Sequence, residues 1–308
     1  VISDGYLFGT AGTVFSLPEG GAVTSWVHTF DGTAYGPLGG VALSGGKLYG
    51  TTITANQLAE PGAIYSINTD GTGYTNLYIF IGGHDGGSPQ GGLLISGTTI
   101  YGTASGYGQY GSGTVFSVKT DGSDFTILHA FSALNNNTNV DGAFPVAGLV
   151  LAGNLLYGVA QDGGTNGSGT VFAVNPTNLA FAVLHTFGRL DEDTLTNTDG
   201  ANPTGQLYLA GNTLYGTAQN GGWYGIGTIF SLPASVAAGT PEVSISLIRT
   251  NAIITWSTNF SGYTVQATTN LSSAAVWSAV TPAPVVTGSN YTVTNLVAGS
   301  RRFYRLSQ

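Results

Sequence analysis

The stretch IYGTASGYGQYGSGTVFSVKTDG, residues 100–122, indicates a repeat protein, because variants of it recur along the chain. The further copies are LYGTTITANQLAEPGAIYSINTDG at 48–71, LYGVAQDGGTNGSGTVFAVNPTN at 156–178, LYGTAQNGGWYGIGTIFSLPAS at 214–235 and a shortened copy, VISDGYLFGTAGTVFSLPEGG, at 1–21. The Tyr-Gly pairs return at intervals of roughly 50 to 60 residues, a period typical of propellers and related arrays.

Each repeat unit predicts four β-strands. An aliphatic run such as VALS or LVLA comes first, and a glycine-containing turn leads from it to the LYGT run, as in a hairpin. The third strand is TVFSV or a variant, and the fourth is FTILHAF, FAVLHTF, TSWVHTF or TNLYIF. This pattern predicts a five-bladed β-propeller-like domain over residues 1–233. Its blades begin near Val1, Gly40, Gly92, Gly148 and Gln206, and the last one has no clear fourth strand.

The sequence changes character after Pro233. Residues 234–241 are rich in small side chains and read as a linker. Residues 242–308 contain six short strands with alternating polarity and polar turns, which predicts a compact β-sandwich of the fibronectin-III or immunoglobulin type. We expect Trp256 and Trp277 to pack in its core. The whole chain is therefore predicted to be all-β.

Composition argues against several classes of function. Among 308 residues there are 7 Lys and Arg against 15 Asp and Glu, a net charge of −8, which argues against nucleic acid and anionic membranes as partners. Cys is absent, so thiolate catalysis, disulfides and Cys-ligated metals are excluded. No apolar run reaches the roughly 20 residues of a membrane span. Absence of Cys fits export, and since Val1 already reads as strand, we expect a mature chain whose leader has been removed.

The repeat LYGTA…GTVFSV-TDG…F-LH-F…DGA-P resembles the GloVer tandem repeat of bacterial "choice-of-anchor" exported proteins. The tail, with its FYRL ending at 303–306, resembles the short fibronectin-like module that often closes such chains. The resemblance implies export, a cell-surface or extracellular setting and a propeller-like body without an assigned activity. The C-terminus of this chain shows no anchor of its own.

Exposed aromatic residues in glycine-rich loops are the first candidates for binding. Tyr107 and Tyr110 lie in SGYGQYGSG, and Trp223 and Tyr224 lie in NGGWYGIG, between the second and third strands. An aromatic platform beside Asn, Gln and Asp suits a sugar, since the ring covers C–H groups and the polar side chains bind hydroxyls. The same residues equally suit a contact with another protein.

A recurring Asp-Gly-x-x-Pro segment follows the fourth strand, with Asp85, Asp141 or Asp199 as its acid and Asp31 in a longer version. Asp-Gly before Pro is what a turn requires, so we expect these acids to stabilise turns. Segments at 162–169 and 191–193 gather the oxygen ligands that calcium prefers, but neither has EF-hand spacing, so no cofactor is predicted.

The histidines divide into two groups. His28, His129 and His185 occupy matching places in the fourth strand, which favours a structural role. His84, in GGHDGG, lies outside the pattern and is a candidate for ligand or partner binding. Beside Asp85 it has no nucleophile, so it does not predict a catalytic triad.

No pattern predicts catalysis. Propeller glycosidases need a pair of carboxylates around the central pocket, whereas the innermost strands here read VIS, VALS, LLIS, LVLA and LYLA. The chain has neither a GxSxG elbow nor a metal-ligand cluster in its sequence. We therefore predict that the protein is not an enzyme.

The unfinished fifth repeat points to assembly. A blade that stops after its third strand exposes the backbone groups of that strand along an edge, and such edges are normally paired or covered. The residues of this open edge are Thr228, Ile229, Phe230, Ser231 and Leu232. The linker strand, the sandwich or another subunit could cover it. Two functions follow: a structural protein that self-associates, for example into a filament, or a glycan-binding module that uses the aromatic loops.

Overall fold

The computed structural model describes residues 1–3, 5–21, 24–30, 36–53, 61–234, 243–248, 251–257, 263–271, 276–287, 290–296 and 302–307. All regular structure in these residues is β-strand, so the predicted all-β fold class is confirmed. The chain divides into two compact units, Val1–Ala237 and Ala238–Gln308. Apart from Ala234, the predicted linker lies outside the described residues.

The described residues of the first unit form five antiparallel sheets, and the first four have their strands in chain order. The first sheet contains β1 (Ile2–Ser3), β2 (Tyr6–Thr10), β3 (Thr13–Pro18) and β4 (Ser25–Thr29). The second contains β5 (Ala42–Ser44), β6 (Lys47–Thr52), β7 (Ala63–Asn68) and β8 (Thr75–Ile79). The third contains β9 (Leu94–Ser96), β10 (Thr99–Ala104), β11 (Thr114–Lys119) and β12 (Thr126–Ala130), and the fourth contains β13 (Val150–Ala152), β14 (Leu155–Ala160), β15 (Thr170–Val174) and β16 (Phe181–Thr186).

The fifth sheet is built differently. Its strands are β17 (Ala201–Pro203), β18 (Tyr208–Ala210), β19 (Thr213–Asn220) and β20 (Thr228–Pro233). Both β17 and β18 pair with β19, at its opposite ends, so they share the place of one inner strand. β20 pairs with the other side of β19 and is the outermost described strand of this sheet.

The Tyr-Gly pair of each repeat exists because an aromatic ring lies over the glycine. Gly158 of β14 is directly opposite Phe172 of β15. A Cβ added to Gly158 would lie 2.6 Å from Phe172 Cζ, closer than any carbon contact allows. The ring thus covers the bare glycine and fills the gap that it leaves in the strand. The opposed pairs Gly102–Phe116 and Gly216–Phe230 repeat the arrangement.

Successive sheets are joined by both apolar packing and backbone hydrogen bonds. Between the third and fourth sheets, Val115, Leu128 and Phe131 share a buried core with Leu156 and Phe172. At three junctions the residue before the recurring Pro has positive φ and donates its N–H to a carbonyl of the preceding sheet. These bonds run from Ser88 to Pro61, from Phe144 to Ser112 and from Asn202 to Ser168.

The second unit contains two antiparallel sheets with a shared core. One has the strand order β21 (Ser244–Ile248), β22 (Asn251–Ser257), β26 (Asn290–Leu296) and β25 (Val285–Thr287). The other has the order β24 (Ser278–Ala279), β23 (Thr264–Thr268) and β27 (Phe303–Ser307). Residues of both sheets, including Ile254, Val265 and Val293, form one buried cluster. Seven strands are described, one more than the six predicted, and the additional one is β25.

The two tryptophans of this unit differ in their surroundings. Trp256 is buried in the core cluster, 2% exposed, as expected from its strand. Trp277 is outside that cluster and only half-buried, and the prediction that it packs in the core was wrong. The Arg305 guanidinium lies 4.5 Å from the centroid of the Trp277 ring, a cation–π contact at the surface.

Candidate assembly site at the outer strand of the fifth sheet

A cluster of aromatic side chains recurs at the junctions between successive sheets. Between the third and fourth sheets, the His129 ring of β12 stacks on Phe181 of β16, with ring centroids 3.6 Å apart. Phe131 packs edge-on against Phe172 at 5.3 Å and against Phe181 at 5.8 Å. The cluster therefore joins the fourth strand of one sheet to the third and fourth strands of the next.

Different residues build the same cluster at the two earlier junctions. In each, a ring of the fourth strand stacks on a ring at the start of the next sheet's fourth strand, and a Phe two residues later contacts the third strand. The stacked pairs are Tyr78–Phe125 at 3.7 Å and His28–Tyr74 at 4.3 Å, and the edge contacts are Phe80–Phe116 at 5.4 Å and Phe30–Tyr65 at 5.6 Å.

The acid of the Asp-Gly-x-x-Pro segment holds the stacked ring in place. Asp141 Oδ2 lies 2.9 Å from His129 Nε2, and the carboxylate also accepts hydrogen bonds from the backbone N–H and the hydroxyl of Ser132. Burial acts to raise the pKa of Asp141, but the hydrogen bonds from His129 and Ser132 outweigh it and leave the pKa below its ordinary value. The charged form is thus the one that this site stabilises.

The other two described acids make matching contacts. Asp85 accepts a hydrogen bond from the Tyr78 hydroxyl at 3.1 Å, and Asp199 Oδ2 lies 2.9 Å from His185 Nε2. The glycine that follows each acid has a φ of 94° to 104°, which the turn requires. These acids therefore tie the fourth strand to the segment that leads to the next sheet. Asp31 lies outside the described residues.

The junction between the fourth and fifth sheets has only half of the cluster. Phe187 contacts Phe230 of β20 at 5.1 Å, as the pattern requires. His185 is held by Asp199 and lies edge-on to Phe187 at 4.8 Å. No aromatic side chain among the described residues stacks on His185, because β20 has no described outer neighbour.

A cavity occupies the place of the absent ring. It has a volume of about 330 Å³, and His185, Asp199 and most of β20 line it. The side chains of His185 and Asp199 are 38% and 30% exposed, whereas those of His129 and Asp141 are 19% and 10% exposed. The lower exposed fractions at the complete junction show how far a covering strand shields this pair from solvent.

The backbone of β20 presents free hydrogen-bonding groups on the same side. Ala234, directly after β20, donates its N–H to the Asn212 carbonyl at 2.8 Å, in register with the β19–β20 pairing. Because hydrogen-bonded and non-bonded pairs alternate in antiparallel strands, the N–H groups of Ile229 and Ser231 point away from β19. No described strand pairs with them. The five residues predicted for the open edge all lie in this strand.

One face of the fifth sheet is also uncovered. The third strands of the first four sheets carry an aliphatic residue whose side chain is 0% exposed, and the residue at this position in β20, Ile229, is 83% exposed. The fully buried counterparts are Val14, Ile64, Val115 and Val171. Likewise, Ile226 is 85% exposed at the position where Ser112 and Ser168 are buried. The fifth sheet thus keeps the apolar pattern of a covered sheet without the cover.

The aromatic loop residues are exposed at the tips of two equivalent loops. Trp223 and Tyr224 are each 81% exposed, and Tyr107 and Tyr110 are about half exposed. Tyr107 has a φ of 57°, and its ring would collide with a Cβ on Gly87, so it packs on the neighbouring loop. No ring contact joins one pair of these described residues to the other, so the structure does not bring them into one platform.

His84 is exposed and separate from the carboxylate beside it in sequence. The Asp85 carboxylate accepts hydrogen bonds from Tyr78 and from the backbone N–H groups of Ile81 and Gly83. Sequence reasoning paired His84 with Asp85 but missed the pairing of the fourth-strand ring with the same acid. The sequence contained a signal for this pairing, since an Asp-Gly lies 12 residues after His129 and 14 residues after His185.

The acidic segments considered for calcium are used within the protein. The Asp162 carboxylate accepts a 2.6 Å hydrogen bond from Asn202 of β17. Burial raises the pKa of Asp162, and this hydrogen bond offsets only part of the increase. Asp191 accepts hydrogen bonds from Asp193 and Thr194 in its own turn. Within the described ranges, no group of three or more His, Asp and Glu side chains could hold a metal ion.

No helix long and apolar enough to cross a membrane is found in the part of the chain that the structure describes.

Comparison with known proteins places the repeat in a family. The nidogen/laminin complex contains a similar chain, 18% identical, with a TM-score of 0.47 over 70% of this chain and 68% of that one. TolB from Acinetobacter baumannii is 12% identical, with a TM-score of 0.42 over 82% of this chain and 61% of that one. No curated protein matches significantly. The model of the Gloeobacter/Verrucomicrobia repeat matches residues 1–197, so the predicted tandem repeat is confirmed and the chain belongs to this repeat family.

Proposed function

We propose that this chain is a non-enzymatic structural protein of the bacterial cell surface or extracellular space that self-associates through its open fifth sheet. In this proposal the five sheets over residues 1–233 are the blades of a five-bladed propeller-like domain, and residues 242–308 form a fibronectin-III/Ig-like module. Export, and a relation to choice-of-anchor proteins, belong to the same proposal and draw on the repeat sequence.

The outer edge of β20, with which no strand of the described residues pairs, is the observation that carries this proposal. The outward N–H and C=O groups of Ile229 and Ser231 are what a strand from another molecule would bind by β-augmentation. Proteins normally protect such edges with charge, a bulge or a covering segment. β20 reads TIFSLP, with no charged side chain and Pro233 only at its end.

The uncovered face of the same sheet supports self-association. Ile229 would bury a large apolar side chain in a contact, and burial of apolar surface contributes about 25 cal/mol per Å². Only 7% of all residues are charged, so close approach of two copies desolvates few ions. Ile226 and Ile229 are both more than 80% exposed and lie close together in sequence, and contiguous exposed apolar patches mark interaction surfaces.

The first sheet also lacks a partner for one of its groups. Thr114, Thr170 and Thr228 donate their hydroxyl to the backbone carbonyl of the acid in the preceding segment. The equivalent hydroxyl of Thr13 is buried and has no hydrogen-bond partner among the described residues. Buried hydroxyls are usually paired, so the first sheet lacks the hydrogen bond that a preceding acid segment gives this threonine in the third, fourth and fifth sheets.

Ser231→Pro tests the edge. The Ser231 side chain is exposed and its N–H points away from β19, so Pro removes an outward donor without breaking a bond inside the sheet. We expect sedimentation velocity over a concentration series to show association of the wild type and of Ser231→Ala, and monomers for Ser231→Pro. A wild type that stays monomeric at every concentration would refute self-association. Association of Ser231→Pro equal to wild type would show that the edge is not the contact.

The exposure of Trp223 and Tyr224 favours a second candidate function, carbohydrate binding. Two neighbouring rings, each 81% exposed at a loop tip, are available to stack on a sugar. Trp223→Ala with Tyr224→Ala should then abolish retention on a glycan array, and Thr165→Ala with Asn166→Ala, at the same positions of the preceding loop, is the control. Equal retention of wild type and the Trp223/Tyr224 variant would reject this candidate.

A further inference from the structure

We infer that the cavity beside β20 binds one extended segment of another polypeptide. An aromatic side chain of this segment would take the place that Phe181 has in the fourth sheet. This inference rests on the proposed use of the β20 edge and adds the chemistry of the strand that fits it. The ligand is thus a peptide with an aromatic residue and, two positions later, an aliphatic one.

The fourth sheet shows how such a strand is placed. In β16, Phe181 is opposite Val174 and Val183 is opposite Phe172, so both side chains lie on the face that meets the preceding sheet. The repeat alignment matches Val174 with Leu232 and Phe172 with Phe230. A strand added to β20 in this register would set its aromatic residue opposite Leu232 and its aliphatic residue opposite Phe230.

The residues that would contact this ring are already in place. In the complete cluster, Phe181 touches His129 at 3.6 Å, Phe172 at 5.5 Å and Phe131 at 5.8 Å. The matching receptor residues are His185, Phe230 and Phe187. Asp199 holds His185 at 2.9 Å, and Phe187 already contacts Phe230 at 5.1 Å. Binding would therefore require little reorganisation of the receptor, which favours affinity.

The size and chemistry of the cavity agree with one aromatic side chain flanked by backbone. About 330 Å³ is larger than a single ring, and the remaining space lies along the β20 backbone where a strand would run. Stacked aromatic pairs stabilise a contact beyond the area that they bury. An aromatic residue should therefore be selected over an aliphatic one of equal strand propensity.

The chain itself does not supply the ring after β20. Residues 234–255 contain no Phe, Tyr, Trp or His, so the segment that follows β20 cannot complete the cluster. The strands that do carry the pattern, such as β12 and β16, are paired within their own sheets. We therefore assign the occupant to another polypeptide.

Fluorescein-labelled peptides can test the inference on the full-length chain. The probe is the sequence of residues 179–188, LAFAVLHTFG, and the matched control replaces its Phe181 by Val, which keeps strand propensity but removes the ring. We expect fluorescence anisotropy to show binding of the Phe peptide at least tenfold tighter than that of the Val peptide. Ser231→Pro in the receptor should abolish binding, and His185→Ala should reduce the preference for Phe.

The remaining outcomes separate this inference from the proposed self-association. Equal binding of the Phe and Val peptides, or undiminished binding to the Ser231→Pro receptor, would overturn the inference. Failure of both peptides with a wild type that still self-associates would overturn it and leave the proposed function standing. Selective binding of the Phe peptide to a protein that never self-associates would support the inference and refute self-association. Circular dichroism of each receptor variant establishes that it is folded.

Discussion

At the residue scale, the repeat keeps a carboxylate at each junction by giving it several donors. The Asp141 side chain is 10% exposed and would be unfavourable as an isolated charge. His129 and Ser132 donate to it, and the net effect of burial and these bonds is a pKa below the ordinary value. Asp199 has similar donors but is more exposed to solvent. The two acids therefore show how a complete junction differs from an incomplete one.

Asp141→Asn should destabilise the protein in a pH-dependent way. Because the folded pKa lies below the unfolded value of about 3.9, ionised Asp141 stabilises the fold above that pH, and the contribution is lost as the pH falls through the folded pKa. We expect a loss of about 1.5–3 kcal/mol in the free energy of unfolding at pH 7, from urea titration, and a smaller loss at pH 3. The exposed Asp193→Asn is the control. An equal loss at both pH values would contradict the role of the charge.

At the scale of the strand, the pairing of glycine with an aromatic ring explains why Tyr-Gly recurs. Replacing Gly158 by Ala places a Cβ 2.6 Å from the Phe172 ring, which is itself fully buried and cannot retreat. We expect Gly158→Ala to lower the free energy of unfolding by about 1–3 kcal/mol, by the usual cost of overpacking. Gly40→Ala, with no atom within 4 Å of the added Cβ, should change it by less than about 0.5 kcal/mol in the same urea titration. Similar losses for both variants would contradict this explanation.

The elements that sequence could predict are those with a strong local pattern. The hairpin of the first two strands and the TVFSV strand stand out through alternation and turn residues, and the structure has them in every described sheet of the first unit. The division of the fifth inner strand into β17 and β18 escaped prediction, because LYLA reads like the other inner runs. Trp277 was misplaced because the pattern around a strand does not show whether a neighbour such as Arg305 covers a side chain from the solvent side.

At the scale of the whole chain, the sequence predicts that the last repeat stops early but does not show which side chains this would expose. TIFSL in β20 and TVFSV in β11 have the same pattern, yet Ile229 is 83% exposed and Val115 is buried. Coverage depends on whether another sheet follows, which is a property of the array. The sequence also did not reveal the incomplete cluster at His185, because its residues lie on β16, on β20 and in the segment that carries Asp199.

Ile229→Lys should separate folding from assembly. Because the side chain is exposed, a lysine there leaves the fold intact, whereas in a contact between copies it would bury a charge opposite apolar groups. We expect at least a tenfold weaker self-association in sedimentation equilibrium, equivalent to about 1.4 kcal/mol, with an unchanged urea midpoint. Val140→Lys adds the same charge at a residue 75% exposed in a loop and should associate like wild type. Equal weakening by both lysines would mean that net charge, and not the face of the fifth sheet, governs assembly.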